Sequence, residues 1–269
     1  MGVTQAVAVR ELVTVARSRA SLVLLAGVAL VTLGIALVGG GEPNYLPTAV
    51  DLLLPLEFVV PAVAIALGYR TVVSDARRGE LDILETYPVA TWRYVLGVYL
   101  GRALTLVVIL GVPLALVGVF LATSSPSGPT LFATHRGVDS PLVFVRFVAL
   151  TLVFGLAILA MTLAASALAG SRRSALVLAV VVFALVVLGL DLLVVRGFAG
   201  GFVPAEQLTS VLALSPTSAY RGLVFETVVS TAVETDLQQA SVPLSTASLG
   251  LWTLGSLAVA TLAVERRRD

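Results

Sequence analysis

The sequence predicts an all-α integral membrane protein with six transmembrane helices, and three observations carry that prediction. Of 269 residues, 58% are apolar and only 12% are charged, about half the roughly 25% charge of a water-soluble domain. Polar groups are therefore too few to clothe a water-facing surface. Six apolar runs, at 20–38, 45–68, 94–122, 141–169, 174–195 and 247–264, are each long enough for a span. Crossing roughly 30 Å of hydrocarbon at about 1.5 Å per residue takes some 20 residues. The arginines, finally, divide unevenly between the two ends of these runs. The runs are rich in Val, yet helix is the only outcome in lipid, where every backbone N–H and C=O must be paired within its own segment.

Taken in order, the chain opens with residues 3–17, where Val9, Leu12, Val13 and Ala16 recur at helical spacing opposite Arg10, Glu11, Thr14 and Arg17. That pattern predicts an interfacial amphipathic N-terminal helix lying along the membrane before the first span; the alternative is a simple extension of that span into water. Arg10, Glu11, Arg17 and Arg19 precede the first run, which is not the pattern of a cleavable signal. With the N-terminus in the cytoplasm, twelve arginines lie inside: Arg10, Arg17, Arg19, Arg70, Arg77, Arg78, Arg93, Arg172, Arg173, Arg266, Arg267 and Arg268. Only Arg136, Arg146, Arg196 and Arg221 lie on or near the outside, and Arg102 falls within a span. The positive-inside bias thus predicts a multi-pass protein of the plasma membrane with both termini cytoplasmic. Two outer connections are long. Residues 123–140 are rich in Ser, Pro and Gly, whereas 196–246 are too apolar for a free loop, and 208–214 and 219–229 predict short external helices before the last span. The whole chain, 1–269, reads as one transmembrane domain.

Composition also excludes several activities. A net charge of +1 gives no ground for a nucleic-acid partner. With no Cys there are no disulfides and no thiolate metal sites. One His and two Met cannot supply a metalloprotease site or a chain of soft-metal ligands, and serine chemistry would lack its His base. No catalytic residue, metal site or directly bound cofactor is expected.

The most informative stretch joins the second and third spans on the cytoplasmic side: YRTVVSDARRGELDILETYPVATWRYVLGVYLG, residues 69–101. Within the loop at 74–92, Ser74 is expected to cap a short helix bearing Asp75, Arg77, Arg78, Glu80, Asp82 and Glu85 among Leu81, Ile83 and Leu84. Such mixed charge suits a protein partner better than lipid. Pro88 stops that helix, Thr91 caps the next, and Tyr87, Trp92 and Tyr94 mark the inner interface.

This pattern resembles the membrane subunits of type-2 ATP-binding-cassette (ABC) exporters. In those, a charged run with Gly and Glu-Leu precedes a Leu-Leu…Pro-Val element and a Gly-rich helix start. Arg77, Arg78, Gly79, Glu80, Leu81, Leu84, Pro88, Val89, Gly97 and Gly101 carry the match. Leu214-Ser215-Pro216 with Tyr220-Arg221 is similar to the Asn-Pro segment of many members, with Ser215 in place of Asn. Val98 stands where a Lys is common. The resemblance implies a transport subunit without its own ATPase, and no Gly-x-x-x-x-Gly-Lys motif occurs in a chain that lacks Lys. ATP and Mg would be bound by a separate ABC ATPase subunit. A cytoplasmic coupling helix, with Asp75 to Leu84 and Pro88, would sit in that subunit's cleft. A second copy of the chain or a related permease would complete the assembly, which would export a substrate or push on an external accessory protein. The Asp191 end of the fifth span and the Leu-Ser-Pro stretch resemble the permeases that assist copper-site maturation of nitrous oxide reductase. The competing readings are an ion-coupled secondary carrier and a membrane scaffold; the charged loop and the lack of an internal repeat argue against the carrier.

Charged residues within spans are candidates for a polar path or for pairing. Asp51, Arg146 and Asp191, near span ends, are expected to snorkel or face headgroups; Asp51 and Arg146, at similar depth from the outer face, are also a candidate pair. Glu57 is deeper, bracketed by Pro55 and Pro61; it either pairs with Arg102 or lines a substrate path. The Gly97-x-x-x-Gly101 pattern predicts close helix packing, within one subunit or between two.

Overall fold

The computed structural model describes residues 3–16, 18–38, 44–79, 90–124, 139–202, 204, 207–230 and 240–268. Among these the chain is helical, with no strand. Helix α1 (Val3–Ala16) precedes α2 (Arg19–Val38) and α3 (Tyr45–Gly68); a turn at Tyr69 and Arg70 leads into α4 (Thr71–Arg77). Next come α5 (Thr91–Ser124), α6 (Pro141–Leu168) and α7 (Arg172–Ala199), the last containing a π-helical turn at Leu185–Gly189. Two short helices follow, α8 (Leu208–Leu212) and α9 (Pro216–Val224), the second running into a π turn at Phe225–Val229; α10 (Val242–Arg268) closes the fold.

Six of these helices, α2, α3 with α4, α5, α6, α7 and α10, are long and apolar enough to cross a membrane; α4 extends the second past the predicted 68 to Arg77, α10 begins at Val242 rather than 247, and the other bounds fall within about four residues of the runs read from sequence. Helix α6 is the hub, packing against α10, α3, α5, α7 and α9. Half of the most apolar window of α3 and of α6 is buried, against 17% for α2 and α7, so those two stand at the periphery of the subunit. Phe147, Phe154, Leu52, Leu56, Leu106 and Leu110 fill the centre. Pro55 and Pro61 lie inside α3 and Pro113 inside α5. Each proline removes one backbone donor, which releases the carbonyls of Asp51, Glu57 and Ile109 from the helical ladder.

The helix ends show how the spans are joined. At the arginine-rich, basic end of the bundle, α1, α4, the start of α5 and the end of α10 gather. There the buried Ser166 hydroxyl of α6 accepts the Val72 and Val73 N–H groups at 3.1 and 3.3 Å. The first turn of α4 is therefore capped from another helix, and Ser74 lies inside α4 rather than at its start. This corrects the expected cap: a cap is whichever acceptor reaches the orphan N–H groups, and here the fold brings one from residue 166. Gly79, at φ +72°, ends the element in the left-handed conformation that glycine adopts without cost. Ser171 and Ser174 cap α7 reciprocally, and the Arg267 guanidinium donates to the Ala169 carbonyl. At the opposite end, the Asp139 carboxylate accepts from the Tyr45 and Leu46 N–H groups at 3.1 and 2.7 Å, which pins the start of α3 beside α6.

Candidate functional site

Two polar clusters sit on α3 and α4, at Glu57 and Asp75, 18 residues apart along the chain. The first is at the basic end. Asp75, 2% exposed, accepts from Arg10 at 3.1 Å, from Arg78 at 2.8 Å and from the Tyr94 hydroxyl at 2.8 Å. One carboxylate thereby ties α1, the turn after α4 and the start of α5 together. Beside it, Glu11 of α1, also buried, accepts from Arg10 at 3.0 Å and from Arg102 of α5 at 2.8 Å. Arg102 further donates to the Leu67 carbonyl at 2.9 Å, near the end of α3. Charges removed from water persist only when paired and hydrogen-bonded, and this network provides both.

What lets α1 approach so closely is the absence of side chains at two positions of α5. A Cβ on Gly101 would lie 2.6 Å from both the Ala8 carbonyl oxygen and the Glu11 Cβ, and one on Gly97 would lie 2.8 Å from the Val7 Cβ. The Gly-x-x-x-Gly pattern is the seat of α1 within the same subunit. Helix α1 consequently turns Val7 and Glu11 inward and leaves Val9 and Val13, at 46% and 44%, exposed. The Arg102 partner and the glycine-backed contact thus draw Glu11, placed by sequence on the polar face, into the subunit.

The second cluster lies at mid-depth toward the opposite end. Glu57 stands 12 residues into α3, about 18 Å from its start, and is 3% exposed. Its two carboxylate oxygens accept from Nε and Nη2 of Arg221, the first at 2.7 Å. Such a fork-to-fork pair gives direction as well as attraction. Arg221 belongs to α9, and consecutive residues of that short helix reach other helices. Thr217 donates to the Val186 carbonyl in the π turn of α7 at 2.8 Å, and Ser218 donates to Asp191 at 2.8 Å. Tyr220, fully buried, shares a hydrogen bond with Thr151 of α6 at 2.8 Å and stacks on Phe154 with ring centres 4.7 Å apart. The second oxygen of Asp191 is 3.9 Å from Arg221. Helix α9 therefore joins α3, α6 and α7 at once, while Trp252 of α10 donates to the Leu214 carbonyl just before it at 2.9 Å.

The pairings expected from sequence are not the ones made. Glu57 pairs with Arg221 and Arg102 with Glu11, so Glu57 and Arg102 are not partners. Asp51 is exposed, and Arg146 reaches the Thr227 carbonyl at 3.5 Å instead of Asp51. Equal depth in the membrane does not give equal azimuth around the bundle, and partners must share both. Asp75, Arg77, Arg78 and Gly79 lie on and just after α4; Glu80, Leu81, Leu84 and Pro88 lie outside the described residues. Sequence reasoning missed Arg10, Glu11 and Arg221 as members of buried clusters. A signal was present for Arg221: a deeply placed carboxylate requires a cation, and this arginine lies between Ala219 and Leu223, which are buried.

Comparison with known proteins agrees with this architecture. Residues 5–268 match the model of a family described as ABC-2 family transporter protein. The chain is 28% identical over 282 residues to the "Probable ABC transporter permease protein NosY" of Pseudomonas aeruginosa, covering 99% of each chain. It is 29% identical over 225 residues to the protein of the same name from Stutzerimonas stutzeri, covering 80% of this chain and 78% of that one. A family match over nearly the whole length, on a multi-pass bundle of six apolar helices, places this chain in the ABC-2 family of transporters as a membrane-embedded permease subunit.

Proposed function

We propose that this permease couples ATP hydrolysis by a separate ABC ATPase subunit to export of a substrate or to mechanical action on a partner beyond the membrane. An ABC permease implies an ABC ATPase partner in general. The observation that carries the reading here is that α3 and α4, joined by the short turn at Tyr69 and Arg70, bear both polar clusters. At one end Asp75 gathers Arg10, Arg78 and Tyr94. On α3, Glu57 holds Arg221 of α9. A push delivered near Asp75 would displace α1 and α3 together, and α3 would carry α9 with it. In this reading the basic end is cytoplasmic, as the arginine distribution suggests; Arg77, Arg78 and residues 80–88 meet the ATPase, while Asp75, expected from sequence at that contact, is buried and instead holds Arg78 from within the subunit. ATP and Mg are bound by that partner, and a second permease completes the assembly.

The NosY names of its relatives favour the branch whose sequence resemblance is to permeases that assist nitrous oxide reductase. In that case the target of the motion is an external protein. The test is co-purification in mild detergent with identification of an ABC ATPase companion, followed by reconstitution with it. Charge reversal at Arg77 and Arg78 should leave insertion intact and lower ATP-dependent output at least tenfold. Wild-type output from the reversed protein would remove this loop as the contact.

A further inference from the structure

Two grooves on the surface run into one another at the basic end. The larger, about 470 Å³, lies between α6, α7 and α10 and is lined by Ala164, Leu168, Val182, Gly255 and Val259 among other carbon-rich side chains. The smaller, about 310 Å³, continues from the shared Leu168 and Val259 to Arg266 and Arg267. From Gly255 to Arg266 is about 16 Å along α10, close to the roughly 15 Å depth of one hydrocarbon leaflet. The result is an apolar trough of one leaflet's depth with guanidinium groups at its mouth.

Charge at that mouth is unbalanced. Arg266 and Arg267 are exposed, as are Arg172 and Arg173 at the start of α7. Arg267 is tethered by its hydrogen bond to Ala169, three residues before Arg172. None of these four arginines forms an ion pair with a carboxylate among the described residues, and Glu265 is the acid that shares their end of α10. A second copy of the chain seated symmetrically on this face would bring the same four cations against themselves. Free inorganic phosphate would satisfy the arginines and leave the trough empty.

We infer that this groove is a binding site for one anionic phospholipid of the leaflet at the basic end. An acyl chain occupies the trough between α6, α7 and α10, and the headgroup phosphate lies against Arg266 and Arg267. The chemistry is that of other basic pockets between transmembrane helices. It is independent of the ATPase contact proposed above, since neither Asp75 nor α9 takes part.

The test is native mass spectrometry of the detergent-purified permease with dioleoylphosphatidylglycerol or dioleoylphosphatidylcholine added. Retention of the anionic lipid should exceed that of the zwitterionic one. Arg266→Gln with Arg267→Gln should lower retention of phosphatidylglycerol roughly 30-fold, as expected for two lost headgroup contacts. Gly255→Leu leaves every charge in place, and a Cβ at Gly255 meets nothing within 4 Å, so the variant should fold, fill the trough and also lose the lipid. Equal retention of the two lipids, or phosphatidylglycerol binding indifferent to both variants, would overturn the inference. So would displacement of the lipid by inorganic phosphate alone, which would reveal a site for the free anion. A covalent dimer formed in membranes by Leu262→Cys, in a chain otherwise free of cysteine, would show a second copy on the groove and overturn it as well.

Discussion

Replacing Arg221 by Met should destabilise the permease more than replacing its partner Glu57 by Leu, and replacing both should nearly restore it. The side chain of Glu57 is 4% exposed and that of Arg221 41%. Removing Arg221 strands a buried carboxylate that has no other cation partner among the described residues. With the two charge centres about 4 Å apart and an effective dielectric near 20, their attraction is worth about 4 kcal/mol. That falls within the roughly 3–5 kcal/mol lost when one partner of a buried pair is removed. Partial exposure of Arg221 brings the expected value to the lower end, about 3 kcal/mol. Glu57→Leu leaves a guanidinium that can turn to water and still has Asp191 at 3.9 Å, so its cost should stay at about 2 kcal/mol or less. The double substitution exchanges the pair for packed apolar groups and should lie within about 1 kcal/mol of the parent. Reversible unfolding of the purified protein in mixed micelles measures all four corners of the cycle. Additivity of the two single effects within about 0.5 kcal/mol would mean that the pair is not energetically coupled, and the reasoning from burial would fail.

Other outcomes follow from the same contacts. Gly101→Leu should unseat α1, since even a Cβ there meets Ala8 and Glu11 at 2.6 Å; ATP-driven output of the reconstituted complex should drop at least tenfold, whereas Gly27→Ala, which meets nothing within 4 Å, should be silent. Asp75→Asn should cost about 3 kcal/mol or more in the same micelle unfolding measurement, because Arg10, Arg78 and Tyr94 all donate to one buried carboxylate; a loss under about 1 kcal/mol would show that solvent replaces it. Thr217→Val should cost about 1 kcal/mol, the usual worth of a neutral hydrogen bond, here the one to the Val186 carbonyl. Single cysteines at Arg77 and Asp139 should react with a membrane-impermeant maleimide from opposite sides, the first only in inverted vesicles; the reverse pattern would overturn the assigned orientation.

How much was legible in the sequence depended on the range of the physics involved. The six spans and the two short helices near 208–229 could be read directly, because hydropathy over a 20-residue window is a property of the window itself. The family likeness around Arg77 to Gly101 was legible for a similar reason: its residues stand close together along the chain. Ser74 shows the limit. It is a good capping residue by type, but Ser166 reaches the open end of α4 first, and nothing in residues 69–79 announces that. Glycines 97 and 101 announced a close approach without saying which helix would make it.

Composition and pattern alone decided that the chain crosses a membrane six times, and they concentrated positive charge at one end. Only the tertiary structure decided which charges meet. Arg221 and Glu57 are 164 residues apart, and Arg102 and Glu11 are 91 apart. A sequence gives the depth of each group through its distance from a span end, whereas pairing also requires the same side of the bundle. That second coordinate is set by how α3, α5 and α9 rotate to bury their faces against α6 and one another.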